Sequence, residues 1–271
     1  MRKALVNTLA LLTCAFFVFP VYWMATTALK PDEDILRHTP ELVPDPIFFD
    51  NFRQILTADG FWNALRSSLL VTGAVVLAGV AVSFLAAVAL ARFRFRGRTA
   101  FLLAVVIVQM IPGEALFIPF YLTLRDAGML GTYAGLVVVY LSFTLPFAVW
   151  MLRGFVLSVP VELEQAAMVD GASRFQAFRK VVFPLVAPGL MATSVFSWIT
   201  AWTEFTYAYV LLDDPSRYTL PVYIQSFIGR YATDYGPQMA VATLFTLPVV
   251  VFFLIIQRRA VAGLSAGAVK G

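Results

Sequence analysis

Six long apolar stretches divide the chain, with short polar segments between them. They run over Ala4–Leu29, Phe61–Leu90, Ala100–Leu124, Tyr133–Leu152, Val182–Leu212 and Met239–Gln257. Each is long enough to cross the roughly 30 Å of bilayer hydrocarbon as a helix. The third carries Pro112, Gly113 and Pro119, which predicts a kink, because proline removes a backbone donor and crowds the preceding turn. The first stretch follows Arg2 and Lys3 but is too long for an ordinary signal-peptide core, so it is expected to stay as a span. The pattern predicts an all-α integral membrane protein of six transmembrane helices, organised as a single domain over 1–271. A short surface helix is expected at Asn51–Leu56, in the polar segment after the first span.

One polar segment breaks the pattern differently. Residues 158–181 are rich in helix formers and lie between two apolar spans, so they must protrude into water. Pro160 suits a helix start, and Glu162 and Glu164 put negative charge at its positive end. Leu163, Ala166 and Ala167 fall on one face, which is shallow because the side chains are small. Gly171 supplies a left-handed corner, and Ser173 with Gln176 has capping-box spacing for a second helix. That second helix carries Arg174, Phe175, Phe178, Arg179 and Lys180, and Pro184 and Pro188 mark the return to the apolar span.

Composition agrees with a membrane protein. Of 271 residues, 60% are hydrophobic and 13% charged, against about 25% charged in soluble domains. The formal charge of +4 does not point to nucleic acid, because the basic residues sit at span ends. Arg2 and Lys3, then Arg92, Arg94, Arg96 and Arg98, then Arg153, Arg174, Arg179 and Lys180, then Arg258, Arg259 and Lys270 all fall on one side of a six-span chain. The opposite loops carry Asp32, Glu33, Asp34, Glu41, Asp45, Asp50, Asp59, Asp126, Asp213, Asp214 and Asp234. The positive-inside rule then puts both termini and residues 158–181 in the cytoplasm. The lone cysteine, Cys14, and the lone histidine, His38, give no metal site and no Ser-His triad. No GxxxxGK[ST] phosphate loop is present, so no ATP is expected on this chain.

Two carboxylates fall inside spans, Glu114 and Glu204, and a charge at membrane depth must face water or a partner. Trp202, Thr203 and Tyr207 surround Glu204. Rings and hydroxyls could line a carbohydrate path, or they could form the aromatic belt common to membrane proteins. Glu114 is equally suited to a path or to a hydrogen bond beside the kink.

Glu164, Ala166, Ala167, Asp170, Gly171 and Ala172, then Phe178, Pro184 and Pro188, resemble the EAA loop of permease subunits of binding-protein-dependent ABC importers. The first glutamate of the family's EAA triplet is Gln165 here. The turn at Gly128–Tyr133, Thr203 with Glu204, Tyr218–Leu220 and the tail from Gln257 through Arg258, Arg259, Gly263, Leu264 and Gly267 resemble the maltose and trehalose subfamily. The resemblance implies the type I importer fold, with residues 158–181 as a coupling helix seated in a partner ATPase. It implies a second permease subunit, two ATPase subunits holding ATP and Mg, and an extracytoplasmic sugar-binding protein, all at the inner membrane. The expected cargo is an oligosaccharide, with maltose- or trehalose-like disaccharides foremost, and the tail at 258–271 is expected to reach toward the ATPase. A stand-alone secondary transporter for a polar solute is the alternative, and a membrane-embedded enzyme a third.

Overall fold

The structure, a computed structural model, describes residues 2–229 and 233–267. Among them the regular secondary structure is helical. In order the helices are α1 (Arg2–Thr27), α2 (Asp32–Ile35), α3 (Asp50–Thr57), α4 (Asp59–Arg92), α5 (Arg98–Val108), α6 (Phe117–Asp126) and α7 (Tyr133–Ser158). They continue as α8 (Val161–Val169), α9 (Arg174–Ala177), α10 (Phe183–Trp202), α11 (Thr206–Leu211), α12 (Leu220–Gln225) and α13 (Tyr235–Gly267). Among the described residues five helices are long and apolar enough to cross a membrane: Lys3–Thr27, Asp59–Arg92, Tyr133–Ser158, Arg174–Thr203 and Tyr235–Ile256. A sixth crossing is available if the bent pair Arg98–Val108 and Gly113–Asp126 is one span.

That pair corrects the third predicted span, Ala100–Leu124. Its two arms meet at 99°, far sharper than a proline kink. The helix stops at Val108, and a 3₁₀ turn over Gly113–Leu116 starts a new axis. The fifth predicted span, Val182–Leu212, is corrected at both ends. Helical structure begins earlier, at Arg174, and breaks at Thr203–Phe205 before α11. Pro184 and Pro188 do not interrupt it: Pro184 follows directly on a π segment, Phe178–Val182, and Pro188 is held inside α10.

The chain divides into two compact units, 1–66 with 218–250, and 67–217 with 251–271. In the first, Asn51 on α3 is buried and its side-chain amide donates to the carbonyls of Ala28 and Lys30, at 3.1 and 2.9 Å. That ties α3, the predicted surface helix, to the end of α1. The second unit holds the polar segment of interest. Its α7 begins at a turn made by Gly128 and Gly131, both at positive φ, and Thr132 caps the helix by accepting from Gly135 N. α7 packs on α10 where Gly189 lets the backbone reach Phe155; a Cβ there would stand 2.3 Å from the ring. Small residues at helix crossings are how membrane helices gain close packing. One buried cluster gathers Phe84 and Ala87 of α4, Leu152 and Val156 of α7, Val159, and Val182 and Val186 at the start of α10. α4 is 34 residues long and, unlike α1, α7, α10 and α13, has no interior proline. The expected tail at 258–271 lies outside the described side chains, and 268–271 outside the described residues.

Candidate functional site

The polar segment is built locally, as its residues dictate. α7 ends at Ser158, and Pro160, at φ −58° and ψ 134°, sets the chain into α8. Gly171 has φ +89°, the left-handed corner expected of it. Ser173 then caps α9 with both capping-box bonds present: Gln176 N donates to Ser173 Oγ at 3.3 Å, and Ser173 N to Gln176 Oε1 at 2.8 Å. Beyond α9 the helix widens into a π segment, Phe178–Val182, and continues without a break into α10. The sequence gives no sign of that widening.

The predicted residues divide by direction. Gln165, Ala166, Asp170 and Gly171 are exposed, with Ala167 and Ala172 half-buried beside them. Glu164 and Phe178 turn inward. Glu164 Oε1 pairs with Arg92 Nη2 at 2.6 Å, and the Phe178 ring stacks on Phe84 with centroids 5.5 Å apart. Exposed apolar neighbours complete the outer face: Leu163 at 46% and Phe175 at 68% exposure, with Val169, not anticipated from the sequence, at 87%. α8 therefore presents a small, apolar, unpartnered knob on a fixed root.

The second group of candidates gathers at the break between α10 and α11. Glu204 lies in the break and not on a helix face as expected. Its Oε1 accepts from Tyr207 N at 2.8 Å, and its Oε2 accepts from Ala208 N at 3.2 Å and from Tyr140 OH at 2.6 Å. The first turn of α11 leaves backbone N–H groups without helix partners, and the carboxylate satisfies them. Tyr207 is buried, packed against Phe117 and Phe143, and its hydroxyl donates to Gly113 O at 2.6 Å. Tyr207 thus supplies the hydrogen bond at the third-span break for which Glu114 was considered. Glu114 itself is exposed, as is Thr203. Trp202 is 1% exposed and stacks on Trp198 at 5.5 Å, so its ring offers no free face to a solute.

The bent third span, the helical knob between two spans and the glycine corner that aims it define a permease architecture. Residues 79–265 match the family of binding-protein-dependent transport system inner membrane components, and the chain belongs to that family. It is 43% identical to the diacetylchitobiose uptake system permease protein DasC of Streptomyces coelicolor, covering 98% of this chain and 96% of the relative. It is 37% identical to the trehalose transport system permease protein SugB of Mycobacterium tuberculosis, over 96% and 95% of the two chains. The trehalose/maltose transport system permease protein MalG of Thermococcus litoralis is 31% identical, over 100% and 98%. Among solved structures, a bacterial ABC transporter that imports alginate superimposes with a TM-score of 0.80 at 22% identity, covering 95% of this chain and 96% of the other. That likeness confirms the permease fold.

Proposed function

We propose that this chain is one of two membrane subunits of an ATP-driven importer for an oligosaccharide. It contributes half of the path and joins a separate ATPase through residues 158–181. The observation that carries the reading is the α8 knob: an exposed apolar face around Ala166 and Val169, carried on a segment anchored to the spans at both ends. Such a face in water needs a partner to cover it. The named relatives supply the cargo class, since diacetylchitobiose, trehalose and maltose are all short glycans.

The lysine and arginine distribution supports a cytoplasmic knob, within reach of two ATPase subunits that would hold ATP and Mg. A second permease subunit would close the path, and an extracytoplasmic binding protein would deliver the sugar. Thr203 and Glu114 are the exposed path candidates of this chain. Trp202 and Tyr207 support the break from inside. Family membership sets aside the stand-alone transporter.

Co-expression of this chain with its ATPase and second permease, followed by affinity purification, should return a heteromeric complex. Vesicles carrying that complex and a loaded binding protein should take up one of labelled diacetylchitobiose, trehalose or maltose in an ATP-dependent way. A chain that purifies alone, with no uptake of any of the three, would refute the proposal.

A further inference from the structure

The knob has a second root, in α4, that the local reading of residues 158–181 does not reveal. Arg92 is the last residue of α4. Its Nη2 donates to Val159 O at 2.9 Å and pairs with Glu164 Oε1 at 2.6 Å. Val159 is the joint between α7 and the Pro160 turn, and Glu164 stands in the first turn of α8. The charges also suit their helices, since a cation is favoured at the C-terminal end of α4 and an anion at the N-terminal end of α8. The pair is not a loose surface contact: the two side chains are 12% and 19% exposed. Removing one partner of a pair that sheltered leaves the other charge poorly compensated.

A few residues earlier, α4 takes hold of the other end of the segment. Phe84 stacks on Phe178 and meets Phe183 edge-on at 5.9 Å, within the buried cluster that includes Val159 and Val182. The chain enters the polar segment at Val159 and leaves it through Phe178, so both points are fixed to α4.

We infer that Arg92 is a positioning residue for coupling: it locks the first turn of α8 to the end of α4, so that α4 receives the movement of the knob alongside α10. This rests on the functional reading above and assigns Glu164 to the chain's own scaffold, leaving contact with the ATPase to Gln165, Ala166, Val169 and their neighbours. Tilting α8 without moving α4 would break the ion pair.

The test uses the complete complex in proteoliposomes with Arg92→Gln, Glu164→Gln, Arg92→Lys and the exchange Arg92→Glu with Glu164→Arg. The readout is sugar moved per ATP hydrolysed, with co-elution of the ATPase as a control on docking. Both neutral variants should still co-elute with the ATPase, because the outer face is untouched. Their sugar-to-ATP ratio should fall about tenfold, the scale of losing one sheltered ion pair. Arg92→Lys should retain part of the ratio through a single point contact, and the exchange should recover more of it than either neutral variant. A lower protein yield with an unchanged ratio would mean that Arg92 only stabilises the fold, and would overturn the inference. So would a wild-type ratio in both neutral variants. If Arg92→Gln does not accumulate, Glu164→Gln decides alone, since it keeps the side-chain volume. Failure of the wild-type chain to bring down an ATPase would instead remove the functional reading itself.

Discussion

At the scale of the residue, Glu204 shows what burial of a charge demands. It stands out in the sequence because an ionisable group within an apolar run must have a purpose. Its purpose was not readable there, because Tyr140 lies 64 positions away. In the structure it accepts three bonds, two from the backbone of α11 and one from Tyr140. Glu204→Gln would keep one carbonyl acceptor but aim an NH₂ group at the remaining donors. We expect the complex to lose roughly 1–3 kcal/mol of stability, the usual cost of stranding buried donors. A thermal unfolding series on the purified complex would measure it, with Tyr140→Phe giving a smaller loss. If Glu204→Gln leaves the midpoint unchanged and alters uptake, the carboxylate lines the path and does not brace it.

At the scale of the element, the polar segment was legible because its determinants are close in sequence. The glycine corner and the Ser173–Gln176 box are encoded within three or four positions, and both form as read. The break at Thr203–Phe205, the π segment and the Arg92–Glu164 pair depend on helices that meet only after folding, and no local pattern announces them. Two glycines make the distinction testable. Gly171 has open space around it but φ of +89°, so only backbone strain opposes a side chain. Gly171→Val should cost roughly 1–2 kcal/mol at the corner, whereas Gly171→Asn should be tolerated, as Asn visits the left-handed region. Gly189 is helical, and its problem is the Phe155 ring, which any added Cβ would overlap. Gly189→Ala should destabilise the α7–α10 packing by about 1–3 kcal/mol. Gly171→Val, whose strain can be relieved by re-aiming α8, should lower coupled ATP hydrolysis far more than the melting temperature; Gly189→Ala should lower both. The reverse pattern would show that the corner is packed and the crossing is not.

At the scale of the whole molecule, hydropathy alone recovered the order of the apolar elements and five of the six as helices of spanning length, because membrane helices must be long and apolar whatever they pack against. It could not foresee that the third span turns through 99°. Prolines permit a bend, and the neighbours decide its angle: Tyr207, on the distant helix α11, holds Gly113 in place. The orientation proposed from the charge distribution can be tested directly. Cysteines placed at Ser173 and Ser216, both exposed, should react with a membrane-impermeant maleimide from opposite sides of intact cells. Labelling of both from outside would reverse the assignment of the knob to the cytoplasm.

The proline-free run of α4 carries one more consequence, for how the gene can vary in length. At 1.5 Å per residue its 34 residues span about 51 Å, with Arg92 at the very end. Inserting a single residue upstream would swing Arg92 around the axis by about 100° and carry it away from Glu164. An insertion of seven, close to two full turns, would restore the phase but shift the arginine by about 10 Å. The helix is therefore closed to insertions and deletions along its length. Length variation in this chain belongs in the loops, where no partner depends on angular register.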